Sequence, residues 1–505
     1  MQRERKDSFW QSFRRPLFWL AFSGLFVFAC TGREPESKPQ KALPKTIIKV
    51  SCVRGPSVEV LKRFSPAFEA ANNVSVQTIV RPAGSAPDPK ADLWIVEPAV
   101  MTSLAFAKSI QLVPDIYTTE GGEYGWRSLL RLYRSKLLVW GTDKDIFALP
   151  LVDEAMFCLY RSDLLSDPAA RSDFKAKYGR ELTPPATWQD ILRIAEFFQG
   201  KPRPGIDRPC ASLPPLGKDD DTLDRMFYLA AAPFVRHAVR EDRMSNASPR
   251  NLFSFHYDLD TGKPLLHTRG FAEALECLSK LQRWRASGDD PEQSFASGEA
   301  VICIAPAPAI ARFQKSPEIK NKFRIARPPG SEVVYGIDLG HSPITGGNNE
   351  IPYLGAAGAL MVVPTSTANG ADAFKLAAYL SNPKTSRDVV TEPGWGGGIY
   401  RDEHVKLGFG SFGLDSGQTL DYSRILNETY LDTKLSNPLV RLRIPDQASH
   451  RAALLKEVRA ALFAGKKPAE AMNDADAAWR ELDAKMTPAE RLSTYRLSIS
   501  LGGGG

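Results

Sequence analysis

Cysteine and histidine are scarce in this chain, six of each in 505 residues. Beyond Cys30, none of Cys52, Cys158, Cys210, Cys277 and Cys303 forms a CxxC pair, and no His/Cys group has metal-ligand spacing. HExxH and a GxSxG elbow are both absent. Without these constellations, zinc, redox and serine-hydrolase chemistry have no footing, and neither metal nor cofactor is expected. An odd number of cysteines leaves at least one unpaired. Cys158 in EAMFCLYR and Cys303 in AVICIAP sit in apolar runs where buried free thiols are the natural reading.

Strong charge of one sign is also missing. The formal net charge is +7, and three of those charges belong to the first 29 residues, where five basic residues face Glu4 and Asp7. No basic stripe or nucleic-acid motif occurs, so no nucleic-acid partner is expected. GFGSFG (408–413) fits a phosphate-loop pattern by letter, yet no strand leads into it and no helix follows, so it reads as a loop. The acidic run KDDDTLD (218–224) reads as solvated.

A single apolar run stands out, Leu17 to Ala29, after the basic residues Arg3, Arg5, Lys6, Arg14 and Arg15. At about thirteen residues it is short of the roughly twenty a membrane span needs, but it fits the apolar region of an export signal. It ends VFAC, similar to the lipobox of bacterial lipoproteins, with Phe28 bulky where a small residue is usual. Residues 1–29 are thus expected to be a lipoprotein signal peptide and Cys30 the lipidated residue that holds the chain at a membrane surface. An uncleaved anchor is the competing reading. Residues 30–45, rich in Pro, Lys and Glu, form a tether.

The chain is hydrophobic enough, 43% overall, for one or two substantial cores beyond the tether. TIIKVSCV (46–53), a helical pattern with Leu61, Phe64 and Phe68 on one face and a kink expected at Pro66, and a period-two run through Val74, Val76 and Val80 make a strand–helix–strand unit of a parallel sheet. ADLWIVEP (91–98) is a buried strand. IFALPLVDEAMFCLYRSDLL (146–165) reads as two strands joined at Pro150, with Asp153 and Glu154 between them. In TPPATWQDILRIAEFF (183–198), Thr187 and Asp190 are placed for a capping box, with Trp188, Ile191, Leu192, Ala195 and Phe198 on one face. FAEALECLSKLQRW (271–284), the strands SFASGEAVICIAP (294–306) and GALMVVP (358–364), and the helices at 368–383, 453–465 and 468 onward continue the alternation, and no internal repeat occurs.

This order of segments resembles the sugar-type extracellular solute-binding proteins of ABC importers, the group that includes maltose-binding protein. The segments that carry it are ADLWIVEP with QLVPD, the crossing run 146–165, PATWQDI, SFASGEAVICIAP, and GALMVVP with AFKLAAYLSNPKTSRDVVTEPG. The resemblance spans roughly 46 to 485. It implies two α/β lobes, each a mainly parallel sheet flanked by helices, joined by three crossings near Leu151–Met156, Tyr353–Ala356 and Gly396–Arg401. Lobe one is expected at 46–151 with 356–398, lobe two at 157–352 with 402–495, and a disordered tail at 496–505.

It also implies an exported, non-enzymatic protein that holds a small solute, a carbohydrate first of all, and hands it to ABC permease subunits by hinge closure. A sensor lipoprotein of the same fold and, last, a carboxylate-based hydrolase are the alternatives. In open α/β sheets, ligands sit beyond the carboxyl ends of strands. That rule shortlists Arg54, Gly55 and Ser57 after the first strand, Glu97 after ADLWIV, Asp153 and Glu154 at the first crossing, and Trp395, Gly396–Gly398 (with Gly397 central) and Tyr400 at the last. Trp395 beside three glycines could lid the cleft, or simply pack the hinge; Glu97 and Asp153 could equally be solvated loop ends. Two stacking aromatics usual in this group are missing, since Ala305-Pro306-Ala307-Pro308 follows AVICI and Glu97-Pro98-Ala99 follows ADLWIV. That departure tells against oligosaccharide specificity.

Overall fold

The structure, a computed structural model, describes residues 45–501 apart from 143, 154, 239–248, 338–339, 344–347, 356–357 and 432–436. The expected signal, Cys30 and the tether up to residue 44 lie outside the described residues, as does Glu154. Among the described residues the strands are β1 Thr46–Val53, β2 Val74–Arg81, β3 Leu93–Val96, β4 Leu149–Val152, β5 Met156–Arg161, β6 Ile302–Pro306, β7 Phe323–Ala326, β8 Val333–Gly336, β9 Gly340–Pro343, β10 Tyr353–Leu354, β11 Ala359–Val362 and β12 Leu439–Val440.

Five of them form the sheet of the first lobe in the order β2-β1-β3-β11-β4. The 46–81 unit folds as its pattern predicts. Ile48, Val50 and Cys52 alternate into the core, and the helix Pro56–Asn72 carries β1 over to a parallel β2. That helix runs on through Pro66. All four residues of β3 are buried, as a central strand covered on both faces requires. β11 returns antiparallel to both β3 and β4. Pro150 is tolerated inside β4 because β4 is an edge strand, so the break between the two strands comes at Asp153 and not at the proline.

The sheet of the second lobe, β6-β5-β7, departs from expectation: every pairing in it is antiparallel. Period-two burial looks the same in either orientation, so the pattern of AVICI and MFCLYR carries no direction. Both faces of this small sheet are buried. Phe157, Leu159, Cys303, Ala305, Phe323 and Ile325 face the core that also covers the first sheet, and Cys158 and Ile302 face a second, helical core. That second core gathers the helices Trp188–Phe198, Asp220–Val235, Arg269–Leu281, Gln447–Phe463 and Pro468–Asp483. Thr187 and Asp190 make the expected capping box. Of the face predicted for that helix only Leu192 is half-buried, while Ile194 and Phe197 turn inward as well. Of the tail expected at 496–505 only 496–501 are described, and there the helix Pro488–Ser498 buries Tyr495 and Ser498, with Ile499 packed behind them.

Around the expected crossings, the segments at Gly358 and Gly398 both lie against the one at Val152 and Asp153. A Cβ on Gly358 would come within 2.9 Å of the Val152 carbonyl oxygen, and one on Gly398 within 2.9 Å of Asp153 Cβ. Side chains are therefore excluded where the segments touch. Beside the last connection His404 is fully buried, its Nε2 3.0 Å from Ser386 Oγ and its ring edge-on to Tyr400. Burial, with Arg401 adding to it, pulls its pKa down to about 3. The unfolded chain then binds the proton more readily, so the contribution of a neutral His404 is fully present above about pH 6.5 and is lost as pH falls towards 3. His404→Gln should flatten the acid limb of a urea-midpoint series by up to about 1.4 kcal/mol per pH unit. An unchanged acid slope would count against a neutral buried imidazole.

Candidate functional site

The carboxyl ends of β1, β2 and β3 point the same way because the three strands are parallel neighbours. Opposite them stand the end of β6 and the first turns of the helices Asp220–Val235, Pro291–Ala296 and Ala307–Phe313. Between these walls opens a cavity of about 810 Å³, within the several hundred to about 1,000 Å³ usual for a ligand site.

Arg54, Ser57, Glu97, Asp153 and Trp395 all line this cavity. Arg54 is exposed at the rim, while Ser57 in the first turn of its helix is buried. Glu97 keeps close to half of its side chain in solvent and reaches across to Arg441 at 2.9 Å. Arg441 is buried just beyond β12 and also touches Asp224 at 3.3 Å. Burial pulls the Arg441 pKa down, but Asp224, Tyr353 and Glu97 outweigh it and leave it above the usual arginine range. Burial pushes Asp224 up, against the opposing pull of Arg441 and Arg451.

Asp153 serves two surfaces. Its side chain borders the cavity, while its backbone supports the last connection at Gly398. Burial, then the Asp153 charge, pushes the phenols of Tyr133 and Tyr422 well above their ordinary range. Trp395 is half-buried against the first core, and its indole N–H has no acceptor among the described residues.

Of the shortlist, Gly55, Gly396–Gly398 and Tyr400 are not among the residues that line the cavity. Tyr400 is fully buried behind it, against Tyr133 and His404, and the Leu130 amide donates to its carbonyl. Gly397, at φ 102°, is turned into the second wall, where a Cβ would lie 2.8 Å from the Tyr422 hydroxyl that donates to its own carbonyl. Gly396 is likewise closed off by the backbone of Val390. The glycines serve packing between the connections and not close approach to a solute. All five cysteines beyond Cys30 are free and buried, and burial raises the thiols of Cys52 to about 11 and Cys158 and Cys277 to about 12.

The strand-end rule also missed residues. Arg81, the last residue of β2, lines the cavity, and a parallel β1–β2 register would have flagged it. Asp221 and Arg225 reach the site from the start of one helix and Glu292 from the start of another, while Arg312 comes from the last turn of Ala307–Phe313. Their signal was the acidic run 218–224, which is only partly solvated: Asp219 caps the helix through the Thr222 amide, Asp221 borders the cavity, and Asp224 is buried. Ala305, Pro306 and Pro308 form cavity wall where an aromatic platform was missed. Among the described residues no cluster of His, Cys, Asp and Glu could hold a metal, and no helix is long and apolar enough to cross a membrane.

Several solved structures share this architecture. MalE3 of T. maritima, solved with maltose, is 16% identical with a TM-score of 0.59 over 86% of this chain and all of that one. A solute-binding protein of Agrobacterium radiobacter in complex with ribitol is 14% identical, TM-score 0.60, over 86% of this chain and 98% of its own. The GacH receptor of Streptomyces glaucescens, solved unliganded and with acarbose, is 13% identical, TM-score 0.58, over 88% of this chain and 100% of its own. At such identities the likeness speaks for the fold alone. No curated protein sequence matches the chain. Residues 67–402, well over half of its length, match the model of the bacterial extracellular solute-binding proteins. Two lobes, adjoining crossing segments and an open cavity between the walls agree with that match, and the chain belongs to the bacterial extracellular solute-binding protein family.

Proposed function

We propose that the protein captures a small polar solute, of carbohydrate or polyol type, between its lobes and delivers it to an ABC permease. The observation that carries this reading is the cavity of about 810 Å³ walled by strand ends of one lobe and helix starts of the other, with the adjoining crossing segments beneath it. A solute bridging the walls would favour the closed form by the difference in its contacts with the open and closed states. Trp395 offers the aromatic face for a sugar ring, and Glu97 and Asp153 offer acceptors for hydroxyls. Cys30 is the proposed lipid anchor that keeps the exported chain near its permease. Lobe one at 46–151 with 356–398 and lobe two at 157–352 with 402–495 are the proposed moving bodies.

The test is thermal denaturation against a panel of sugars, polyols, amino acids, polyamines and oxyanions. A solute at a hundred times its Kd stabilises the native state by about 2.7 kcal/mol, which for a chain of this size raises Tm by about 3 °C. One chemical class should do so, and Trp395→Ala should abolish the shift while leaving the unliganded Tm within about 1 °C. A panel without any shift would sink the binding reading.

A further inference from the structure

The carboxylates that line the cavity are largely neutralised by arginines of the protein itself. Glu97 pairs with Arg441 at 2.9 Å, Asp221 with Arg451 at 2.6 Å, and Glu292 with Arg312. Two arginines of the opposite wall are not so matched. Arg54 and Arg81 stand at the carboxyl ends of adjacent parallel strands, where Val53 is in register with Arg81. Among the described residues neither has a carboxylate within ion-pair distance. Arg81 is held by backbone alone: its Nη1 donates to the Ser85 carbonyl, its Nη2 to the Ile95 carbonyl at 3.2 Å, and its Nε is buried with no acceptor among the described residues. Burial pulls its pKa down, with Cys52 and Glu97 pulling the other way.

The space between the two arginines suits an anion as well. The helix Pro56–Asn72 starts there from Gly55, with no side chain capping its first amides, and open space stands over Gly55. Ser57 adds a hydroxyl from the first turn. The wall therefore combines two guanidinium forks and a hydroxyl, which together match a planar or tetrahedral oxyanion. The opposite wall, by contrast, offers prolines at 306 and 308 where an aromatic platform would favour a neutral sugar ring.

We propose that the captured solute carries an oxyanion, a carboxylate or a phosphate, which docks on Arg54, Arg81 and Ser57 while its hydroxyl-bearing body meets Trp395. This rests on the solute-binding reading above and narrows it to acidic sugars and polyols. Sugar acids and sugar phosphates share the docking chemistry, so both are arms of the test.

The experiment compares matched pairs by thermal denaturation and calorimetry on the intact protein: glucose with glucuronate and glucose 6-phosphate, galactose with galacturonate, and ribitol with ribitol 5-phosphate. Inorganic phosphate and sulfate are run alone. The acidic member of at least one pair should raise Tm where its neutral partner does not, and a carboxylate-only or phosphate-only response identifies the group. Arg54→Gln, at an exposed position that leaves folding intact, should weaken that solute about ten- to a hundredfold, the loss of one charge-assisted contact. Arg81→Gln should weaken it at least as much. Neutral members binding as well as acidic ones, or acidic binding untouched by both variants, would overturn the oxyanion site and leave the binding function standing. Silence from every compound would remove both.

Discussion

Replacing Gly398 with valine is expected to destabilise the protein by about 3 kcal/mol and to abolish any solute-induced rise in Tm. The position lies where the last connection crosses the first. A Cβ there would meet Asp153 Cβ at 2.9 Å and come closer still to the Asp153 carbonyl, so backbone and not a flexible side-chain end would have to yield. Overpacking of this kind costs about 1–3 kcal/mol, more when the neighbour is rigid. Moving Asp153 also disturbs a residue that borders the cavity, so binding should fail together with stability. Gly394 is the control. It borders the same cavity with nothing within 4 Å of its Cβ position, and Gly394→Ala should stay within about 0.5 kcal/mol. Urea midpoints with unchanged m-values would establish the difference; equal midpoints for the two variants would refute the idea that the connections brace each other.

Arg401→Leu should cost more, about 3–5 kcal/mol. Arg401 is fully buried with no carboxylate partner among the described residues. Instead its guanidinium is surrounded by oxygen acceptors: Nε donates to the Ser381 carbonyl at 3.0 Å, Nη1 to Gly125 O at 2.8 Å and Ser128 Oγ at 2.6 Å, and Nη2 to Tyr124 O at 3.2 Å and Ser381 O at 2.7 Å. Its centre also lies 4.9 Å from the Tyr124 ring. Leucine removes every donor and leaves three backbone carbonyls of the first lobe without their partner, each worth about 1–3 kcal/mol when buried. Arg401→Lys keeps the charge but not the planar fork and should recover only part of the loss. If Arg401→Leu lost less than about 1 kcal/mol in urea unfolding, this arginine would not be what ties the end of the last connection to the first lobe.

Much of the architecture was legible in one dimension because it rests on local rules. The capping box at Thr187 and Asp190, the inward faces Phe271–Leu275–Leu278–Leu281 and Ala471–Met472–Ala475–Trp479, and the first strand–helix–strand unit follow from periodicity and caps alone. Arg54, Ser57 and Glu97 reached the shortlist by the same economy, since a residue just past a parallel strand has few other places to go. Tyr400 and Gly397 did not fit that rule because they belong to a connection and not to a strand end. Which way a connection's side chains turn depends on the segments beside it, here the Tyr133 element, far away along the chain, and the Tyr422 helix, 25 positions beyond Gly397.

The amino-acid sequence by itself determined the alternation of strands and helices, the capped and buried faces of those helices and the lack of catalytic or metal-binding constellations, because each is set within a few neighbouring residues. Only the tertiary structure decided that the second sheet is antiparallel, that Asp153 supports a connection as well as bordering the cavity, and that Glu97 is answered by Arg441 while Arg54 and Arg81 go unanswered. Those outcomes depend on pairs such as Glu97 and Arg441, 344 positions apart. Charge balance in a cleft is a sum over groups that the chain brings together only when it folds.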